Sequence, residues 1–276
     1  MVTTAHAPKS VSVGELLRGW RRRRRLTQLD LALAAEISQR HLSFLESGRA
    51  APSREMVLRL AEQLEVPLRE RNALLAAAGF APVYSERRLD DPDLAAARRA
   101  VERILDGHLP HPALAVDRHW TLVFANAAVA PLLAGANEKL LVTPVNVLRL
   151  SLHPDGLAPR IGNFRQWRAH ILERLGRQID ASGDAGLLAL LEELKGYPVP
   201  PGAAPYRAAA EDPLGGIAVP LELKTEHGTL RFLSTTTVFG TALDISLAEL
   251  AIETFFPADA ETAAKIDQTM RAMVQD

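Results

Sequence analysis

The sequence predicts two domains, an all-α bundle of five helices followed by an α+β domain built on an antiparallel sheet. Three observations carry that prediction. From Ser12 to Ala78 apolar residues recur every three or four positions behind capping residues. Beyond residue 108, short alternating segments are interleaved with amphipathic helices. Charge divides near the same boundary: residues 1–80 hold 13 Lys and Arg against 8 Asp and Glu, and residues 81–276 hold 19 against 25. A basic module in front of an acidic one is expected where only the first meets a polyanion.

The helical starts are read from their caps. Ser12 with Glu15 and Thr27 with Asp30 are S/T-x-x-D/E pairs, and further starts fall at Ser38, at Ser53 after Pro52, and near Pro67. The first domain is therefore placed at residues 1–80. A linker and connecting helix occupy 81–107, with Pro82 and Pro92 ahead of a helix over Leu94–Gly107. The second domain runs over 108–260. Its order is two strands in Ala113–Ala125, a short helix over Asn126–Leu133, helices over Asn163–Asp180 and Ala185–Lys195, and a Pro/Ala-rich loop over Tyr197–Pro213. Three strands follow, over Ile217–Thr225, Leu230–Phe239 and Leu247–Phe256, and residues 261–276 are a C-terminal tail. The helices are expected on one face of the sheet.

Composition narrows the function classes. With 276 residues, 47% hydrophobic and 24% charged, the chain is not disordered throughout. The absence of cysteine excludes disulfides, Cys-ligated zinc, iron–sulfur clusters and thiol catalysis, and it makes the cytoplasm the expected compartment. Neither a secretory signal nor a membrane span is expected, because no stretch approaches the roughly 18 apolar residues that a span needs. No Gly-x-Ser-x-Gly elbow, phosphate loop or dinucleotide fingerprint is present, so no enzyme is expected. No zinc-type histidine spacing occurs, and haem through His153, His170 or His227 is weaker than surface or capping roles for each. No cofactor is expected.

Within the first domain, a capped helix from Thr27, a turn through Glu36 and Ile37, and a second capped helix from Ser38 to Ser47 have helix-turn-helix spacing. Leu31, Ala32, Ile37, Leu42 and Leu45 hold the pair together, leaving Gln39, Arg40, Ser43 and Phe44 outward. Gln and Arg make bidentate hydrogen bonds to purine edges in a major groove. The helix N-termini at Thr27 and Ser38, with an Arg-rich flank of Arg22, Arg24 and Arg25, suit phosphates.

At these residues the sequence resembles the Xre-type, phage-repressor-like helix-turn-helix domains. The matching motifs are Leu17-Arg18-x-x-Arg21, Leu26-Thr27-Gln28-x-x-Leu31-Ala32, Ile37-Ser38, Leu42, Leu45-Glu46-x-Gly48 and Pro52-Ser53. The resemblance implies that Gln28 anchors a phosphate, that Gln39, Arg40 and Ser43 face bases, that Ser47 and Arg49 approach the DNA backbone, and that Arg21 pairs with Glu46. One residue departs from the pattern: Glu36 stands where these domains usually carry Gly, and a positive φ there costs a non-Gly residue about 1 kcal/mol. A double-stranded operator and a homodimer are the expected partners, since one short recognition helix reads only a half-site.

In the second domain, Asp117-x-x-Trp120 between two strands, ahead of Asn126, looks like the opening of a PAS-type sensor fold. Residues 108–260 are similar to the ligand-binding half of the MmyB-like regulators through Asn146-x-Leu148-Arg149, His153-Pro-Asp-Gly156, Asn163-x-x-x-Trp167-Arg168, Ser234-Thr-Thr-Thr-x-Phe-Gly240 and Glu249-Leu-Ala-Ile-Glu-x-Phe-Phe-Pro257. That similarity implies a PAS-like pocket for a small apolar effector, with fatty acids the suggested class. Val116, Leu122, Phe124, Val219, Leu221, Phe232 and Val238, covered by Trp167, Ile171 and Leu175, can wall such a cavity or simply pack as a core. Arg149, Arg160, Asn163, Trp167 and Arg168 are candidate anchors for a carboxylate, with helix-surface pairing as the competing role. The reading is a one-component DNA-binding transcription regulator modulated by an apolar ligand; the alternative is a DNA-binding regulator whose second domain only dimerises or docks a protein. Leu94, Val101 and the last strand are the expected dimer contacts.

Overall fold

The computed structural model describes residues 11–206, 218–240 and 242–275. The chain divides into two compact units, one running to Glu86 and including Leu243–Ile245, the other comprising Arg87–Ala242 and Ser246–Asp276.

The first unit holds α1 (Val13–Arg23), α2 (Gln28–Ala34), α3 (Gln39–Glu46), α4 (Arg54–Gln63) and α5 (Leu68–Ala77). Their starts follow the caps. Ser12 and Thr27 form reciprocal capping boxes with Glu15 and Asp30, Ser38 accepts from the His41 amide, and Ser53 accepts from that of Met56. Leu17, Leu31, Leu42, Leu45, Leu60 and Leu74 are fully or almost fully buried in one core. The helix ends are as informative as the starts. α1, α2 and α4 are each followed by a charged residue in the left-handed region: Arg25 (φ 56°), Glu36 (φ 54°) and Glu65 (φ 48°). The amide of the next residue, Leu26, Ile37 or Val66, then bonds back to Arg21, Ala32 or Ala61, which satisfies a terminal carbonyl and turns an apolar side chain into the core. Glu36 thus takes the conformation that glycine would ease, and Ile37 supplies the closing contact.

The second unit is built on a five-stranded antiparallel sheet in the order β2-β1-β5-β4-β3, with β1 Ala113–Val116, β2 Leu122–Ala125, β3 Leu221–Thr225, β4 Gly228–Val238 and β5 Ala251–Pro257. Pairing of Leu114 with Glu253, and of Ser234 with Phe255, puts these side chains on one face. That face lies under α7 (Val147–Leu152), α8 (Phe164–Ser182) and α9 (Ala185–Gly196), whose leucines, Phe164, Trp167 and Ile171 complete the main core. The other face, with Ala113, Ala115 and Ile252, packs on Val101 and Leu105 of α6 (Ala95–Asp106). Helices therefore cover both faces, because β1 and β5 are apolar on both sides.

Three further expectations are corrected. Residues 261–276, read as a tail, continue instead as α11 (Ala260–Gln275), whose Ile266 is buried in the main core. The last strand begins only at Ala251, behind the short helix α10 (Ile245–Ala248), and it lies in the middle of the sheet between β1 and β4. With both its edges paired, and with Leu94 and Val101 buried, these are not the free surfaces that a dimer contact needs. The predicted strand start at Ile217 and part of the Tyr197–Pro213 loop lie outside the described residues.

Candidate nucleic-acid interface and ligand cavity

The position of α3 is set from its far end. Glu46, 2% exposed, receives Arg21 through both carboxylate oxygens (Nε to Oε1 2.6 Å, Nη2 to Oε2 2.8 Å) and the Gln28 amide at 2.9 Å, while Arg18 donates to the Glu46 carbonyl at 3.0 Å. One carboxylate thereby ties α1 and α2 to α3. Burial pushes the Glu46 carboxyl up, but the hydrogen bonds from Arg21 and Gln28 and the neighbouring positive charges outweigh it and hold it below the usual range. Close approach of α1 is possible because position 14 is glycine: a Cβ there would stand 2.4 Å from the Leu45 carbonyl oxygen. Gly48, at φ 73°, ends the helix.

With the core side of α3 committed, its first turn faces outward. Gln39 and Arg40 are exposed, and neither side chain makes a hydrogen bond among the described residues. The Phe44 ring, half-buried, lies 5.4 Å from the Arg40 guanidinium and 5.9 Å from that of Arg49. Ser43 is half-buried beside them, and Ser47, exposed, donates to the Phe44 carbonyl. Thr27 and Ser38, both exposed, spend their hydroxyls on capping the first turns of α2 and α3.

In the second unit an apolar cavity of about 120 Å³ lies between the sheet and α8. Its walls include Leu114, Leu122, Leu150, Leu223 and Phe255 from below and beside, with Trp167 and Ile171 above. One end is polar. Arg174 reaches down from α8 to Glu253 of β5 (Nη1 to Oε2 3.0 Å, Nη2 to Oε1 2.5 Å) and to the Thr236 hydroxyl (2.6 Å). The Arg174 guanidinium also lies 4.5 Å from the Trp120 ring. His170, stacked on Trp167, has its basicity lowered by burial and by the charges of Arg174 and Arg177. Trp120 is held at φ 66° by a tight turn in which Asp117 accepts from the amides of His119 and Thr121. A bulky residue in that region costs about 1–2 kcal/mol, a strain found where a side chain must be aimed. Here it aims the indole at the cavity, and Gln178 fixes its Nε1 at 2.8 Å.

Family comparison agrees with both geometries. The model described as MmyB-like transcription regulator ligand binding domain matches residues 97–268, and one described as helix-turn-helix matches 17–71. The chain belongs to the MmyB-like transcription regulators. A comparison with curated proteins finds no match. This MmyB-like chain is accordingly a DNA-binding transcription regulator with a ligand-binding domain.

The structure distributes the sequence-predicted residues of the regulator unevenly. Gln39, Arg40, Ser43, Phe44, Ser47 and Arg49 share one side of α3 and its exit, and Arg22 is exposed on α1. Gln28 points its amide inward at Glu46, and Arg24, expected at a phosphate, donates instead to the carbonyls of Leu64 and Glu65. Of the ligand and wall candidates, Leu122, Leu221, Trp167 and Ile171 line the cavity. Phe124 does not, because it pairs with Ala115 on the opposite face of the sheet. Val116 and Phe232 are buried in the core without reaching the cavity, and Val238 is 60% exposed near the end of β4. Arg149 pairs with Glu193 at 2.8 Å, Asn163 bridges the Pro220 carbonyl and the Glu222 amide, and Arg168 donates to the Lys195 carbonyl. Arg160 lines a second, separate pocket. Of the cavity's own polar groups, Arg174 and Glu253 were missed, and His170 was weighed only as a haem ligand. Their signal was present: Glu253 is the one charged residue of β5, and Arg174 follows Trp167 and Ile171 at helical spacing on the buried side of α8.

Among the described residues no cluster of side chains has the makings of a metal site, and no helix is long and apolar enough to cross a membrane.

Proposed function

We propose that this regulator reads a two-fold operator as a homodimer, with α3 in the major groove and the occupant of the apolar cavity altering operator affinity. Gln39 and Arg40 contact base edges, Ser43 and Phe44 pack beside them, and Arg22, Thr27, Ser38, Ser47 and Arg49 line the sugar-phosphate rails. The observation that carries this reading is the pair of uncommitted, exposed side chains on the first turn of a helix whose opposite side is locked by Glu46. Bidentate donors free to meet purines sit where the helix dipole favours phosphate approach. The ligand is a small apolar molecule, as the leucine-lined cavity favours, and fatty acids are the class the family resemblance suggests. Coupling requires that ligand to prefer one dimer arrangement over the other.

The test is a fluorescence-anisotropy titration of a labelled duplex from the regulator's own upstream region, with and without a panel of apolar small molecules. A saturating effector should shift operator affinity roughly 5- to 150-fold, the usual span of coupling between sites. A ligand that binds the cavity and leaves operator affinity unchanged would contradict the regulatory half of the proposal.

A further inference from the structure

Phe44 stands apart from the other large apolar residues of the first unit. It is half-buried, yet its ring is absent from the core that joins Leu17, Leu42 and Leu45. The Arg40 and Arg49 guanidinium groups lie against it, 5.4 and 5.9 Å from its centre, within reach of the attraction between a cation and an aromatic ring. Neither guanidinium has a hydrogen bond or an ion pair among the described residues. The contact at Trp20 is of another kind. That ring is 7% exposed within the core, and Arg24 beside it is bound to the carbonyls of Leu64 and Glu65.

The two arginines reach the Phe44 ring by separate routes. Arg40 lies one turn before Phe44 on α3, and an aromatic side chain on a helix leans toward the preceding turn, so the ring meets the Arg40 side chain. Arg49 lies beyond the helix. Gly48, at φ 73°, turns the chain back, and the amides of Arg49 and Ala50 donate to the Phe44 carbonyl at 2.9 and 3.2 Å. Phe44 therefore holds Arg49 twice, by its carbonyl and by its ring. Two like charges gathered on one ring, with no acid paired to either, repel each other, and the acceptors of a polyanion relieve that repulsion. Ordering a free surface arginine also opposes binding, whereas a stacked one is partly ordered before its partner arrives.

We infer that Phe44 is a positioning residue, whose ring holds the Arg40 fork ready for a base edge and Arg49 ready for the neighbouring phosphate. One side chain thereby sets the spacing between the group that reads sequence and the group that grips the rail. This role rests on the operator-reading assignment of α3 above and adds what orders its cations.

A double-mutant cycle on the full chain tests it, read by fluorescence anisotropy on the upstream duplex and on a scrambled one, with the melting temperature of each variant. Phe44→Leu, which keeps apolar bulk and removes the aromatic face, should weaken operator binding about 5- to 30-fold, the combined effect of two stacked cations. In an Arg40→Ala background the same substitution should cost only about 2- to 5-fold, the share left to Arg49. Phe44→Tyr, which restores the face, should bind within about twofold of wild type. A loss from Phe44→Leu that is equal in both backgrounds, or a Tyr variant no better than Leu, overturns the positioning role and leaves the operator reading in place. Wild-type affinity in Arg40→Ala overturns that reading, and the positioning role with it.

Discussion

Replacing Glu46 by Ala should disable the first unit while leaving the sheet domain intact. The size of the effect follows from what the carboxylate satisfies. It accepts two bonds from Arg21, whose side chain is only 11% exposed, and one from Gln28. Removing one partner of a buried pair leaves the other charge uncompensated and costs about 3–5 kcal/mol. For a unit of this size, each kcal/mol lowers the melting temperature by about 4–8 °C, so a fall of at least about 12 °C is expected. Calorimetry reports the fall, and hydrogen exchange read by mass spectrometry assigns it to α1–α5. The sign of the pH dependence is fixed by the same group. Because the folded-state Glu46 carboxyl is held below its ordinary value, its stabilisation is complete above about pH 4.3 and is lost as pH falls through the depressed value. Wild type should therefore weaken on acidification through this group, and Glu46→Ala should lack that component. An apolar pair, Arg21→Met with Glu46→Leu, should recover much of the loss. A single-variant cost under about 1 kcal/mol would refute the assignment of Glu46 as the tie that positions α3, since that is the value of an ordinary exposed pair.

Other substitutions probe separate parts of the fold. Gly14→Ala should destabilise the first unit by about 1–3 kcal/mol through overpacking against the Leu45 carbonyl, whereas Gly19→Ala, which meets open space on the same helix, should stabilise it by up to about 1 kcal/mol. Chemical denaturation of the two variants separates these outcomes. Glu36→Gly relieves a left-handed residue worth about 1–2 kcal/mol and adds unfolded-chain entropy of roughly 0.5–1 kcal/mol, so a net gain of about 0–1.5 kcal/mol is expected in the same assay. Ile171→Phe, enlarging a side chain on the cavity wall, should abolish ligand binding in calorimetry and leave operator affinity in ligand-free protein unchanged.

The first unit was legible because its signals are local. Ser12, Thr27, Ser38 and Ser53 announce helix starts through hydrogen bonds spanning three residues, and the apolar spacing identifies Leu31, Leu42 and Leu45 as core. Gln28 and Arg24 were misplaced because their partners, Glu46 and the end of α4, are distant in sequence and only the folded chain brings them within reach. The same distance hid the Arg174–Glu253 pair, 79 positions apart. Alternation in β2 put Leu122 and Phe124 on one face, yet the irregular register between Ala115 and Val116 leaves Leu122 on the main core and sends Phe124 to the opposite face. The last helix escaped notice because α11, rich in alanine and interspersed with charges, reads as a polar tail. Arg160 was identified as an anchor from its type alone, and its bonds to the carbonyls of Lys224, Leu132 and Ala134 emerge only from the structure.

The central claim is that the outward first turn of α3 reads DNA. Operator binding by wild type, Arg40→Ala and Gln39→Ala on the regulator's upstream region, at fixed salt and beside a scrambled duplex, tests it most directly. Each substitution should cost about 1–3 kcal/mol, roughly 5- to 150-fold in affinity, on the specific duplex, with much smaller losses on the scrambled one. Variants that bind the operator as tightly as wild type, while melting at the same temperature, would contradict it.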